Sequence, residues 1–200
     1  MSWIWENEYG SQMREIIAFS GLAYEKNLVS AAGGNISARC GGNMLITGSN
    51  VPLRSVTSDG LILCDMQGGV LDGNPHLRPS KEIGFHTGVY NIRSDINYII
   101  HVHPCFSTIW SMQRKELPLY TESARMKLKQ VPVVPEAAPG TKELARNVID
   151  TVSSAPQNVT AFLLEGHGII AMGATMAECF NQAELLEDSA KIAVFQRLLK

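Results

Sequence analysis

The sequence predicts an α/β protein. Near the N-terminus and again at the C-terminus, apolar residues recur at three- and four-residue spacing, the period of a helix buried on one side. Between these stretches lie short runs rich in Ile, Leu and Val, bounded by glycine, asparagine or proline, which is how strands read. With 200 residues the chain suits one domain, residues 1–200, large enough for a sizeable core.

Taken in order, residues 9–29 place Met13, Ile16, Ile17, Ser20, Ala23 and Tyr24 on one helical face. Residues 30–37 break that pattern. Gly33 and Gly34, followed by Asn35, let the backbone turn tightly or bring amides close to a ligand, although no G-K-[ST] follows to make a P-loop. Residues 44–47 read as a short strand ending in Gly48, Ser49 and Asn50, a turn or an anion-holding loop. Residues 61–65 and 69–71 read as a hairpin around Gln67 and Gly68. Pro79, Ser80, Lys81 and Glu82 open a helix reaching about Arg93, with Ser80 as its N-cap. Residues 96–104 form a strand closed by Pro104, and residues 106–113 a short helix. The proline-interrupted run at 131–135 suits an edge strand. A helix capped by Thr141 then runs to about Val152. Residues 161–164 and 168–172 are buried strands, and a helix over 175–199 carries Phe180, Ala183, Leu186, Ala190, Ala193 and Val194 inward.

Composition narrows the function. Hydrophobic residues at 45% and charged residues at 18% are those of an ordinary globular protein, and the formal net charge of −2 offers nucleic acid or an anionic membrane no global attraction. No apolar run approaches the roughly 20 residues of a membrane span. Residues 1–8 lack the basic start and apolar stretch of a signal peptide. Cys40, Cys64, Cys105 and Cys179 form no C-x-x-C and read as reduced cytosolic thiols, Cys105 as a small buried residue at a helix start.

The chemistry-bearing stretch is I-N-Y-I-I-H-V-H-P, residues 96–104. Side chains two apart in a strand share a face, so His101 and His103 project together, a ligand pair for a metal such as zinc or simply two histidines at a strand end. His167, set between Gly166 and Gly168 after an apolar strand, suits a third ligand. Three histidines with an open fourth position would be a catalytic zinc pattern. His86 is the rival ligand, or a satisfied histidine on its helix. Glu82, four residues before it, shares its face, although a carboxylate in a helix's first turn is also favoured simply by the helix dipole.

Six motifs in order join these pieces: G-G-N-I-S at 33–37, L-I-T-G-S-N at 45–50, P-S-K-E at 79–82, H-V-H-P at 101–104, A-P-G-T at 138–141 and G-H-G at 166–168. Together they resemble the class II aldolase/adducin family across nearly the whole chain. The resemblance implies a three-layer α/β/α sandwich around a mainly antiparallel sheet, and a homotetramer with active sites between subunits. It implies a divalent metal, zinc or alternatively Mn2+ or Co2+, on His101, His103 and His167, with Glu82 as acid/base. Gly34, Asn35, Ser49, Asn50, Ser80 and Lys81 match positions that cradle a substrate phosphate. The implied reaction is cytoplasmic retro-aldol cleavage of a small ketose 1-phosphate to dihydroxyacetone phosphate and an aldehyde. Decarboxylation of a 3-oxo-tetronate phosphate, sugar-phosphate dehydration and pentulose-phosphate 4-epimerisation are reactions of the same scaffold, and adducin-like head domains are non-enzymatic modules on it. This chain departs from the family pattern in three places: Lys81 replaces a serine, Asn50 replaces a glycine, and Glu122, with Tyr120 nearby, stands where the aldolases have a tyrosine proton donor.

Overall fold

The computed structural model describes residue 5 and residues 7–199. Most of the N-terminal stretch read for a signal, and Lys200, therefore lie outside the described residues. Helix α1 (Gly10–Glu25) leads to β1 (Asn35–Cys40), β2 (Asn43–Thr47), β3 (Leu61–Asp65) and β4 (Val70–Gly73). Helix α2 (Ile83–Ile92) precedes β5 (Tyr98–Val102), then come α3 (Cys105–Ser111), α4 (Glu122–Lys127) and β6 (Val133–Val134). Helix α5 (Lys142–Ser154), strands β7 (Ala161–Leu164) and β8 (Gly168–Gly173) and helix α6 (Met176–Leu198) complete the chain.

The strands form one eight-stranded sheet in the order β4-β3-β2-β1-β5-β8-β7-β6. Among the described residues its pairings are antiparallel, except that β6 runs parallel to β7. The sheet is thus mixed but mostly antiparallel, where the resemblance implied a mainly antiparallel one, and the parallel edge pair is the departure. The reason is topological: α5 joins β6 to β7 as a crossover, and a crossover returns the chain in the same direction. Pro132 and Pro135 hold β6 to two residues at the sheet edge, where missing N–H groups cost no ladder bond.

Strand alternation sorts side chains between two cores. Ile36, Ala38, Leu45, Ile100, Val102 and Ile169 pack with α1 and α6 on one face. Met44, Ile46, Ile99, Phe162, Ile170 and Met172 pack with Phe85 and Val89 of α2 and Leu144 and Val148 of α5 on the other. Helix α6 starts with a capping box in which Thr175 and Glu178 satisfy each other's backbone amides. Among the described residues no helix is long and apolar enough to cross a membrane.

Three local expectations fail. Helix α2 begins at Ile83 rather than beside Ser80, because Ser80 caps a separate tight turn: its Oγ accepts from Glu82 N at 3.3 Å and its carbonyl from Ile83 N at 3.1 Å. Strand β1 is a central strand, although its first residues, 35–37, belong to the stretch read as a break after the first helix. Asn35, Ser37 and Arg39 alternate onto the α2 face, where polar partners replace solvent. Cys105 does start a helix but is exposed.

Candidate active site

His101 is the next-to-last residue of β5 and fully buried, with the Phe85 ring edge-on at 5.6 Å. Its Nδ1 donates to the Ile169 carbonyl of β8 at 2.9 Å, so Nε2 is left with a lone pair. His103 lies just past the strand, before Pro104 turns the chain into α3. Helix α3 is held from below: the Glu187 carboxylate of α6 accepts from Phe106 N, Ser107 N and Ser107 Oγ at 2.7–2.9 Å. His167 sits in the β7–β8 turn, pinned where Gly166 N donates to Ser111 Oγ of α3 at 2.9 Å.

Strand pairing brings the three imidazoles together. Val102 opposes Ile169, so the end of β5 meets the start of β8, and the ligand atoms of His101, His103 and His167 lie within 4.8 Å of one another. Glycine is required here by close approach. A Cβ at Gly168 would stand 2.4 Å from the Val102 carbonyl oxygen, and one at Gly33 2.7 Å from His103 Nδ1.

The donor set fits a divalent metal. His103 Nε2 lies 2.9 Å and Glu82 Oε2 3.1 Å from the lone-pair nitrogen of His101, while Glu82 Oε1 lies 3.5 Å from His167 Nε2. Three imidazole nitrogens and a carboxylate converging this closely are a donor set suited to a cation. Glu82 Oε1 has no hydrogen-bond partner among the described residues. Burial would raise the Glu82 carboxyl pKa, but His101, the Asn35 amide and His167 outweigh it and hold the group ionised, well below the usual carboxylate range. Burial, with His101 nearby, lowers the pKa of His103 to about 3 and of His167 to about 4, so both offer neutral rings as ligands must.

Around this centre is a cleft of about 310 Å³ that also takes in Gly34, Ser49, Asn50, Ser80 and Lys81. The loops carrying them are zipped together: Ser49 N donates to Arg78 O at 2.8 Å and Ser80 N to Thr47 O at 3.1 Å. Asn50 has φ 61°, a left-handed conformation that asparagine tolerates best after glycine, so its replacement of the family's glycine preserves the loop. Lys81 is exposed and has no salt-bridge partner among the described residues.

Asn35 also lines the cleft, and its side chain has further partners. It is 4% exposed, its Nδ2 donates to Glu82 Oε2 at 2.9 Å and its Oδ1 lies 2.5 Å from His86 Nε2, so the carboxamide is held between the carboxylate and His86. His86, the rival ligand, is turned away from the imidazole cluster and satisfied by Asn35 and Ser37. His76 is exposed in its loop. Neither Tyr120 nor Glu122 lines the cleft; Glu122 pairs with Arg125 at 2.9 Å on the surface. Sequence reasoning missed the Asn35–His86 pair. Its signal was the polar alternation of N-I-S-A-R-C opposite a histidine one turn past Glu82.

Comparison with known proteins gives the family of the chain. The family profile of the Class II Aldolase and Adducin N-terminal domain matches residues 14–194. An L-fuculose phosphate aldolase from Methanococcus maripaludis is 29% identical over 188 residues, covering 94% of this chain and 99% of its own. A 3-oxo-tetronate 4-phosphate decarboxylase from Haemophilus influenzae is 27% identical over 175 residues, covering 84% of this chain and 80% of its own. Among solved structures, an L-fuculose 1-phosphate aldolase superposes with a TM-score of 0.86 at 30% identity, covering 94% of this chain and 87% of its own. A profile match over nearly the whole chain, together with that superposition, places this protein in the class II aldolase and adducin family.

Proposed function

We propose that the chain, read as one domain over residues 1–200, is a lyase: a metal-dependent class II aldolase that cleaves a small ketose 1-phosphate, such as L-fuculose 1-phosphate, to dihydroxyacetone phosphate and an aldehyde. The observation that carries this reading is the convergence of three imidazoles on an ionised, buried carboxylate at the floor of an open cleft. His101, His103 and His167 would hold a divalent cation, zinc first and Mn2+ or Co2+ as alternatives, which when bound supplies Lewis-acid stabilisation of enediolate charge. Glu82 moves the proton. In the synthetic direction its carboxylate takes a proton from the hydroxymethyl carbon of dihydroxyacetone phosphate, and in the cleavage direction the same group returns it after the carbon–carbon bond breaks. Ser49 and Ser80 hydroxyls, the Gly34 and Asn50 backbone and the Lys81 ammonium bind the phosphate, orienting the substrate. Tyr120 and Glu122 do not line this cleft within one chain, which favours a group of a neighbouring subunit in a homotetramer as the acceptor of the proton from the cleaved hydroxyl.

The test is release of dihydroxyacetone phosphate from a panel of pentulose and hexulose 1-phosphates, with Glu82→Gln as the control. The variant is expected to keep its metal and lose turnover. Full activity in Glu82→Gln removes the carboxylate from the mechanism. A second reading rests on Lys81, whose exposed ammonium at the cleft wall suits a substrate carboxylate. Carbon dioxide from a 3-oxo acid phosphate, with no triose phosphate from any ketose, makes the enzyme a decarboxylase instead.

A further inference from the structure

His86 is a fully buried histidine one turn beyond Glu82, and both of its ring nitrogens are engaged. Nε2 lies 2.5 Å from Asn35 Oδ1, and Nδ1 lies 2.7 Å from Ser37 Oγ. Chemistry assigns the hydrogens. The Glu82 carboxylate only accepts, so the Asn35 atom 2.9 Å from it is the amide nitrogen, and the atom facing His86 is the carbonyl oxygen. Nε2 must then carry the ring proton. The neutral ring leaves Nδ1 as an acceptor for the Ser37 hydroxyl, and Ser37 Oγ in turn accepts from the Tyr90 hydroxyl at 2.8 Å. Burial, reinforced by His101, holds the ring neutral, with a pKa of about 3. The chain Tyr90–Ser37–His86–Asn35–Glu82 is therefore directional, each member donating to the next.

We propose that His86 is a positioning residue for proton transfer. By fixing the orientation of Asn35 it anchors Glu82 Oε2 and leaves Oε1 as the oxygen that carries the proton. This rests on the reading of Glu82 as the proton-transfer group. Without the imidazole, Asn35 Oδ1 loses its donor in a buried setting, and the amide is no longer bound to face Glu82.

Two measurements test the proposal. In nitrogen-15 NMR of the zinc-loaded wild type, the His86 ring is expected to be protonated at Nε2 and bare at Nδ1. Protonation at Nδ1, or at both, overturns the proposal, and this arm needs no turnover, so it stands apart from failure to find an aldolase substrate. In kinetics with a cleaved ketose phosphate, His86→Leu should lower kcat about 10- to 100-fold, the range for lost outer-shell support, at nearly constant KM. His86→Gln, which keeps a donor and an acceptor in one planar group, should recover most of that loss. Adding His86→Leu to Asn35→Ala should cost nothing further, since His86 acts through Asn35. Unchanged kcat in His86→Leu, no recovery in His86→Gln, or additive losses in the double variant each overturn the proposal.

Discussion

Replacing Gly33 with alanine probes how closely the metal centre is packed. A Cβ there would lie 2.7 Å from His103 Nδ1 and 3.2 Å from its Cε1, whereas ordinary contact begins near 3.4 Å. The imidazole must retreat by the difference between 3.4 and 2.7 Å, about 0.7 Å, because Gly33 sits on a backbone anchored through its N–H to Ser30 O. Functional constellations tolerate about 0.5 Å of error, so His103 Nε2 leaves its place 2.9 Å from His101 Nε2. Zinc affinity should fall about 10- to 100-fold, equivalent to about 1.4–2.8 kcal/mol. Stability of the metal-free protein should change little, because the yielding atom is the half-buried end of a side chain. A shift in Tm beyond about 2–4 °C would exceed 1 kcal/mol for a chain of this size. Gly168→Ala supplies the contrast. Its Cβ meets the Val102 carbonyl at 2.4 Å, backbone that cannot retreat, so this variant should lose about 1–3 kcal/mol of metal-free stability. The assay is calorimetric zinc titration against a competing chelator, paired with thermal unfolding in EDTA. Wild-type zinc affinity in Gly33→Ala would refute the packing argument.

Removal of the Glu187 carboxylate in Glu187→Ala strips three hydrogen bonds from the start of α3 and should cost about 0.5–2 kcal/mol in urea unfolding; a smaller loss means that water replaces the cap. Zinc at one hundred times its Kd should stabilise the wild type by about 2.7 kcal/mol over the EDTA-treated protein, and a Tm independent of zinc would count against a site built from these histidines. Acid should destabilise the metal-free protein through His86. Its pKa is lowered from 6.5 to about 3 on folding, so between those values the unfolded chain binds the extra proton. Stability is therefore full above pH 6.5 and falls as the pH drops toward 3, by at most about 1.4 kcal/mol per pH unit for this one group. Urea titrations across that window should show a shallower slope in His86→Gln; equal slopes would place the acid sensitivity elsewhere.

Local pattern determined much of this protein from the sequence alone. The H-x-H spacing brought His101 and His103 together, although His103 lies just past β5, apolar periodicity located α1 and α6, the Thr141 cap located α5, and Gly168 beside His167 marked a place where backbone crowds in. Motif order carried the family. What tertiary structure decided is how the polar groups are spent. Asn35, Ser37 and Arg39 look in sequence like the solvated residues of a loop, because a buried, hydrogen-bonded side chain and an exposed one leave the same local pattern. Only the pairing of β1 with β5, which sets Asn35 opposite His101, turns them toward α2 and completes the chain to Glu82. The late start of α2 and the parallel β6 have the same origin. Both depend on partners distant in sequence, the Thr47 carbonyl that holds Ser80 N and the α5 crossover that returns β7 beside β6, and spacing along the chain carries no record of either.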